Sequence, residues 1–240
     1  MMKKIIKKIF NLFGLHICKL NVYSSPAYQI VKALEVHKIN IVFDIGANTG
    51  QFASELREQG YTGKIISFEP LSQAYKTLVK HASDDINWIV HSRTAVGATM
   101  EDCISINVAG NSVSSSILPM LETHINAVPD SQYIHTEQVS LITLDSILEQ
   151  YTGLSDNFFI KIDTQGYEWA VLDGAPQALK KCKGVLTELS LVPLYEGQKL
   201  WIECIERLKN LDIKLYSIQP GFTEPKTGKT LQVDGIFFKD

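Results

Sequence analysis

Two hydrophobic periods alternate along this chain, and the places where one gives way to the other divide it into strands and helices. Residues 39–43 form a short apolar run rich in β-branched side chains, which predicts a buried strand over 41–45. Phe52, Ala53 and Leu56 follow at helical spacing until Gly60, predicting a helix over 50–59. A helix over 27–37 precedes this pair, after a connector at 19–26. Residues 64–68 predict a second strand. Leu71, Tyr75, Leu78 and Val79 then recur at i, i+4, i+7 and i+8, a helix whose first position falls to Pro70, where no N–H is needed. A third strand is predicted over 86–90, with Ala95, Val96 and Gly97 in a turn.

The period then changes. Ile104, Ile106 and Val108 alternate with Ser105 and Asn107, as in a half-exposed strand. A polar stretch at 110–116 follows, and little pattern returns before Val139 and Leu141. Leu144, Ile147 and Leu148 predict a helix after Thr143. Residues 100–142 therefore read as an insertion with two strands of its own, the kind of long segment that often carries binding surface. Residues 158–163 predict a buried strand ending in a carboxylate, and Gly166 turns the chain into a helix that Gly174 closes. Pro176 opens another helix, residues 185–189 a strand, and Leu200, Trp201, Cys204, Ile205, Leu208 and Leu211 stripe a further helix. Two strands over 213–218 and 232–238, joined by a turn-rich segment, close the chain as a hairpin. The order predicts an α/β fold with a largely parallel sheet.

Composition narrows this only slightly. The 240 residues suit one domain over 27–240, with 1–26 as a separate segment. A net charge of −3 and no arginine-rich run give no attraction to nucleic acid. Cys18, Cys103, Cys182 and Cys204 are widely spaced, which suits buried thiols in a reducing, cytoplasmic setting. In residues 3–13, Ile5, Ile6, Ile9, Phe10, Leu12 and Phe13 share one helical face and Lys3, Lys4, Lys7 and Lys8 the other. Such a basic amphipathic helix packs on the domain, packs on a second copy, or lies at the inner face of a membrane. It is far short of the ~20 apolar residues that span a bilayer.

The chemistry gathers at the strand ends. Asp44-Ile45-Gly46-Ala47-Asn48-Thr49-Gly50 joins the first strand to its helix, the place where open α/β sheets bind nucleotides. Dinucleotide sites carry G-x-G-x-x-G, whereas this turn has G-A-N-T-G behind a carboxylate. Asp44, Glu69 and Asp163 end three strands and so share one sheet edge. A pyrophosphate there would meet repulsion, on the order of 4 kcal/mol per pair at about 4 Å and an effective dielectric of ~20. S-adenosylmethionine carries an ammonium and a sulfonium, so the same acids attract it. Asp44 is expected to hold the ammonium, directly or through water, and Glu69 the ribose hydroxyls. The N–H groups of Gly46, Ala47, Asn48 and Gly50 are expected at the methionyl carboxylate. Ala95 and Asp163 complete the cofactor side.

Phe43-Asp-Ile-Gly-Ala-Asn-Thr-Gly50, Phe68-Glu-Pro70, Ser114-Ser-Ser116, Thr143-Leu-Asp-Ser146, Ile160-Lys-Ile-Asp-Thr-Gln-Gly-Tyr-Glu168 and Val233-Asp-Gly-Ile-Phe237 occur in that order. Together they resemble the FkbM family of S-adenosylmethionine-dependent methyltransferases, over roughly residues 41–238. The resemblance implies a class I, Rossmann-like methyltransferase fold whose seven-stranded sheet has an antiparallel last strand. It also implies O-methylation of a hydroxyl on a sugar, glycan or glycosylated natural product.

Methyl transfer to oxygen needs alignment, worth up to about 7–11 kcal/mol, and a base, worth ~10²–10⁴-fold. Glu168, Asp163 and Glu188 are the candidates, with Glu168 foremost as base or acceptor-binding residue; helix capping by Glu168 and cofactor contact by Asp163 are the alternatives. Ser114 and Ser115 are candidates to hydrogen-bond the acceptor. The carboxylates also suit Mg²⁺, though the pattern does not favour a metal. The six histidines show no metal-ligand spacing and read as surface or core residues, with His124 and His135 inside the insertion. Two other functions compete: nicotinamide-dependent oxidoreduction, weakened by the missing third glycine, and a non-catalytic methyltransferase-like partner held at a membrane by residues 3–13. Base methylation lacks its Asn/Asp-Pro-Pro-aromatic motif after the fourth strand.

Overall fold

The computed structural model describes residue 8, residues 10–15 and residues 17–239. In chain order its strands are β1 (Ile41–Ile45), β2 (Lys64–Phe68), β3 (Trp88–Val90), β4 (Ala95–Val96), β5 (Glu101–Ala109), β6 (Tyr133–Ile142), β7 (Phe158–Ile162), β8 (Gly184–Ser190), β9 (Lys214–Pro220) and β10 (Gln232–Phe238). Its helices are α1 (Pro26–Val36), α2 (Gln51–Glu58), α3 (Ser72–Ala82), α4 (Glu122–Ala127), α5 (Leu144–Tyr151), α6 (Glu168–Asp173), α7 (Pro176–Lys181) and α8 (Trp201–Lys209). Seven strands form one sheet in the order β3-β2-β1-β7-β8-β10-β9, parallel except for β10, which is antiparallel to both β8 and β9. A smaller sheet, β4-β6-β5, stands beside it.

Alternation along β1 explains the layers. Ile41, Phe43 and Ile45 pack with Leu144, Leu172, Leu179 and Leu208 from α5 to α8, while Val42 packs with Leu34, Leu56 and Leu78 from α1 to α3. Every residue of β1 and β7 is buried, as expected where helices cover both faces. Asp44 points to the side of Val42, and the register sets it between Ser67 of β2 and Lys161 of β7.

Several local expectations change. Pro70 is not the first residue of α3: the Glu69 side chain accepts the Leu71 N–H at 2.8 Å, holding Leu71 extended, so the helix begins at Ser72. Glu137 of β6 caps that helix, accepting from Ser72 N at 2.9 Å and pairing with Arg93. Ala95 and Val96 are a strand rather than a turn, paired parallel with Leu141 and Ile142 and buried. Two residues are too few to show a period. The second sheet therefore begins ahead of residue 100, and α4 lies in the unpatterned part of the insertion. Cys182 and Cys204 are buried, but Cys18 and Cys103 are exposed. Of the amphipathic stretch 3–13, residues 3–7 and 9 lie outside the described residues. Lys8 and residues 10–12 are helical, and Leu12 and Phe13 are exposed. Among the described residues no helix is long and apolar enough to cross a membrane.

Candidate active site

The row Ser67, Asp44, Lys161 crosses three strands beneath the glycine turn. Lys161 Nζ reaches Asp44 Oδ1 at 3.0 Å and Asp163 Oδ2 at 3.4 Å, and donates a hydrogen bond to the Gly46 carbonyl at 2.8 Å. Ser67 Oγ donates to Asp44 Oδ2 at 3.2 Å and accepts from Trp88 Nε1 at 2.9 Å. Burial works against charge on Lys161, yet Asp44 and Asp163 outweigh it and hold its pKa above the ordinary lysine value. Asp44, expected to meet a ligand ammonium, is fully buried behind the turn and already has its cation.

The turn itself is closed. Gly46 N and Ala47 N donate to the Phe68 carbonyl at 3.1 and 3.0 Å, Asn48 N to Glu69 Oε2 at 2.7 Å, and Gly50 N to the Ala47 carbonyl at 2.8 Å. The backbone N–H groups expected at the methionyl carboxylate are thus engaged within the protein. Asn48, with φ 47°, adopts the left-handed conformation that turns its N–H onto Glu69. Gly46 is needed for the chain's own packing: its φ is +76°, and a Cβ would lie 1.8 Å from the Asp163 carbonyl.

A cavity of about 650 Å³ opens over the carboxyl edge of the large sheet. Its cofactor-side wall holds Gly46, Ala47, Asn48, Glu69, Ala95 and Asp163. Asp44 and Gly50, also expected there, do not line it. The insertion contributes Ser112, Ser114, Ser115, Ile117 and His124, and the β9–β10 hairpin contributes Phe222, Gln232 and Asp234. Glu69 is almost wholly buried and accepts from Asn48 and Leu71, which leaves lone pairs free on its two oxygens. Burial pushes its carboxyl up to about 7, against the pull of those two N–H groups.

Opposite Glu69 stand the remaining acids. Gln165, held at φ 54°, donates from Nε2 to Asp163 Oδ1 at 2.9 Å and to the two Glu188 oxygens at 3.0 and 2.9 Å. Its Oε1 accepts from the Tyr195 hydroxyl at 2.9 Å, and its backbone carbonyl accepts from Ser116 Oγ at 2.6 Å. Antiparallel register brings Asp234 opposite Glu188. Burial raises the Glu188 carboxyl well above its ordinary range, with Asp163, Glu168 and Asp234 adding to the rise. Burial likewise raises Asp234 to about 6. Glu168 does not line the cavity. Its Oε1 accepts from Thr164 N and Gly166 N at 3.0 Å each, which closes the turn ahead of α6. Burial lifts its carboxyl to about 7.

Ser114 and Ser115 are buried at the cavity wall, and their oxygens serve the loop: Ser115 Oγ accepts from Ala109 N, and Ser114 Oγ from Asn111 Nδ2. His124 Nε2 lies 3.2 Å from Ser114 Oγ, and burial lowers its pKa to about 4, so it is neutral at pH 7. His135 pairs with Glu137 at 3.8 Å and does not line the cavity. Sequence reasoning assigned no role to Lys161, Gln165, Tyr195 or Asp234. Lys161 and Gln165 lie inside the motif at 160–168, but their partners are set by strand register.

Residues 44–215 match the family of the methyltransferase FkbM domain, a stretch that holds the Asp44 turn and every acid of the site except Asp234. The chain belongs to the FkbM methyltransferase family. It is accordingly an S-adenosylmethionine-dependent methyltransferase of the class I, Rossmann-like fold, and the sheet order agrees. Among solved structures, TehB from Haemophilus influenzae is similar at 10% identity and a TM-score of 0.47 over 88% of this chain, which spans 62% of the TehB chain. A putative RNA methyltransferase, PH1948 from Pyrococcus horikoshii, shares 12% identity over 92% of this chain and 91% of its own, with a TM-score of 0.46. A putative O-methyltransferase from Klebsiella pneumoniae shares 7% over 99% and 89%, with a TM-score of 0.47. No curated protein matches.

The cavity of this FkbM domain suits S-adenosylmethionine by its charge. Glu55, Glu69, Asp163, Glu188 and Asp234 line it against the single ammonium of Lys161 among its described residues. Glu69, with free lone pairs beside the glycine turn, would hold the ribose. Among the described residues no group of three His, Cys, Asp or Glu side chains is arranged to hold a metal ion.

Proposed function

We propose that this enzyme transfers a methyl group to a hydroxyl of a sugar, glycan or glycosylated natural product. The observation that carries the reading is the Asp163–Gln165–Glu188 group, a bridged carboxylate pair on the wall of the cavity that Glu69 also lines. When bound, S-adenosylmethionine supplies a methyl carbon activated by its sulfonium. The chain does the rest. Glu188 takes the hydroxyl proton onto its carboxylate as the acceptor oxygen becomes a nucleophile, and burial raises its affinity for that proton. Gln165 fixes the Glu188 oxygens toward Asp163. Ser112 offers a hydroxyl suited to a polyhydroxylated ligand, while Ile117 and Phe222 exclude water.

The test is methyl incorporation from labelled cofactor into a panel of hydroxylated saccharides, with product linkage read by nuclear magnetic resonance. Glu188→Gln is expected to lower turnover by ~10²–10⁴-fold at saturating cofactor. Methylation at nitrogen or carbon only, or full turnover by Glu188→Gln at saturating cofactor, would refute the assignment.

A further inference from the structure

Charge is divided unevenly along the chain. The first thirty-four residues carry six lysines and no acidic residue, which leaves 17 basic and 26 acidic residues, a net −9, for the remainder. The same segment exposes apolar side chains: Leu12 is 85% exposed, Phe13 77%, Leu20 55% and Tyr23 96%. We infer that residues 3–23 seat the protein on an anionic membrane surface and that the cavity takes an acceptor whose hydroxylated head is carried on a lipid. The second half of this inference rests on the proposed methyl transfer to a saccharide.

The segment leads directly to the cavity. Tyr23 N donates to Asn21 Oδ1 at 2.8 Å and Asn21 N to Ser24 Oγ at 3.1 Å, a tight turn that hands the chain to Ser25, the cap of α1. Pro26, Ala27 and Ile30, the next residues of that helix, line the cavity. Gln219 fastens this end of α1 to the hairpin, donating from Nε2 to the Pro26 carbonyl at 3.0 Å and to Gln29 Oε1 at 2.9 Å. Three residues of chain reach at most about 11 Å, so the exposed Tyr23 stays beside the cavity rim. Ile30, Val113, Pro220 and Phe222 also line the cavity, and of its acids Glu69 is buried. A lining that joins apolar side chains to carboxylates fits a ligand with a polar head and an apolar anchor.

Charge selects the occupant. An anionic bilayer attracts Lys3, Lys4, Lys7 and Lys8 and repels the acidic remainder, which turns the amino-terminal segment toward the lipid. A two-fold contact of the segment with itself would set like charges together. Lysines near an anionic surface strengthen binding cumulatively, so four imply roughly several hundredfold tighter binding than to a neutral surface.

Flotation with phosphatidylcholine vesicles, with and without phosphatidylglycerol, tests the docking. The full chain is expected to bind the anionic vesicles by roughly that margin, less so at high salt. The Leu12→Asp, Phe13→Asp double variant is expected to bind them at least roughly tenfold more weakly, with cofactor affinity by calorimetry unchanged. Equal binding to the two vesicle types, or self-association through this segment without vesicle binding, overturns the docking. Methyl incorporation into a lipid-linked saccharide on vesicles should drop in the double variant, while the same saccharide freed from lipid reacts equally with both proteins. Loss of docking with the free saccharide still methylated overturns this inference alone. Docking with neither saccharide form methylated overturns the acceptor half together with the proposed function.

Discussion

Replacing Lys161 with methionine tests the centre of the site directly. The side chain is 6% exposed and touches Asp44, Asp163 and the Gly46 carbonyl, so Lys161→Met keeps most of the volume and removes only the charge and its donors. Asp44, with no exposed surface, is left with the Ser67 hydroxyl alone. Removing one partner of a buried ion pair costs about 3–5 kcal/mol. For a domain of this size each kcal/mol lowers Tm by about 2–4 °C, so a fall of roughly 6–20 °C is expected. Adding Asp44→Asn removes the stranded charge, and the double variant should recover most of the loss, since neutral replacements of buried pairs are often close to neutral. The assay is urea unfolding of the wild type, both single variants and the double variant at neutral pH, analysed as a double-mutant cycle. A Lys161→Met protein within about 1 kcal/mol of wild type, or strict additivity of the two changes, would show that the pair does not hold β1 to β7.

Gly46→Ala combines a left-handed residue, at about 1–2 kcal/mol, with overpacking against the Asp163 carbonyl, at about 1–3 kcal/mol. A Tm loss with weakened cofactor binding is expected, and a silent substitution would show that the turn can shift. The ligand-free protein should also lose stability between pH 5 and 8. Glu69 titrates at about 7 when folded against 4.5 for the free side chain, so the folded form binds the extra proton. Its contribution is complete below about 4.5 and gone above about 7, about 3 kcal/mol for this group alone. Asp234, raised to about 6, acts in the same direction. A urea midpoint that rises across this range would contradict the sign.

Strands β1, β2 and β7 were legible because each is a short apolar run that stops at glycine or a carboxylate. Placing Glu69 and Asp163 on one edge followed from strand direction alone, and both line the cavity. The role of Asp44 was not legible, because its cation arrives from β7, over a hundred residues away, through a register that no local pattern encodes. The same holds for Asp234, which meets Glu188 only through antiparallel pairing, and for β4, whose two residues carry no period. Glu168 was expected either at the acceptor or as a cap of its own helix, whereas its Oε1 accepts from Thr164 and Gly166, both ahead of that helix.

Lys161 divides the acids into two kinds, and this has a thermodynamic consequence. Asp44 and Asp163 lie within 3.4 Å of the ammonium, whereas no described cation stands that close to Glu69 or Glu188, and burial raises the proton affinity of both. A cationic cofactor held in the cavity that both line would supply the missing charge. Each carboxyl then favours its ionised form, so binding at neutral pH must release protons. Calorimetry in two buffers of different ionisation enthalpy measures that release directly, without any acceptor or turnover. A net release near pH 7 is expected, shrinking toward pH 9 as Glu69 empties beforehand. Glu69→Gln should reduce it. Binding enthalpies that do not depend on the buffer would mean that the acids are already ionised in the free protein. The base for methyl transfer would then be set by the fold alone rather than armed by the cofactor.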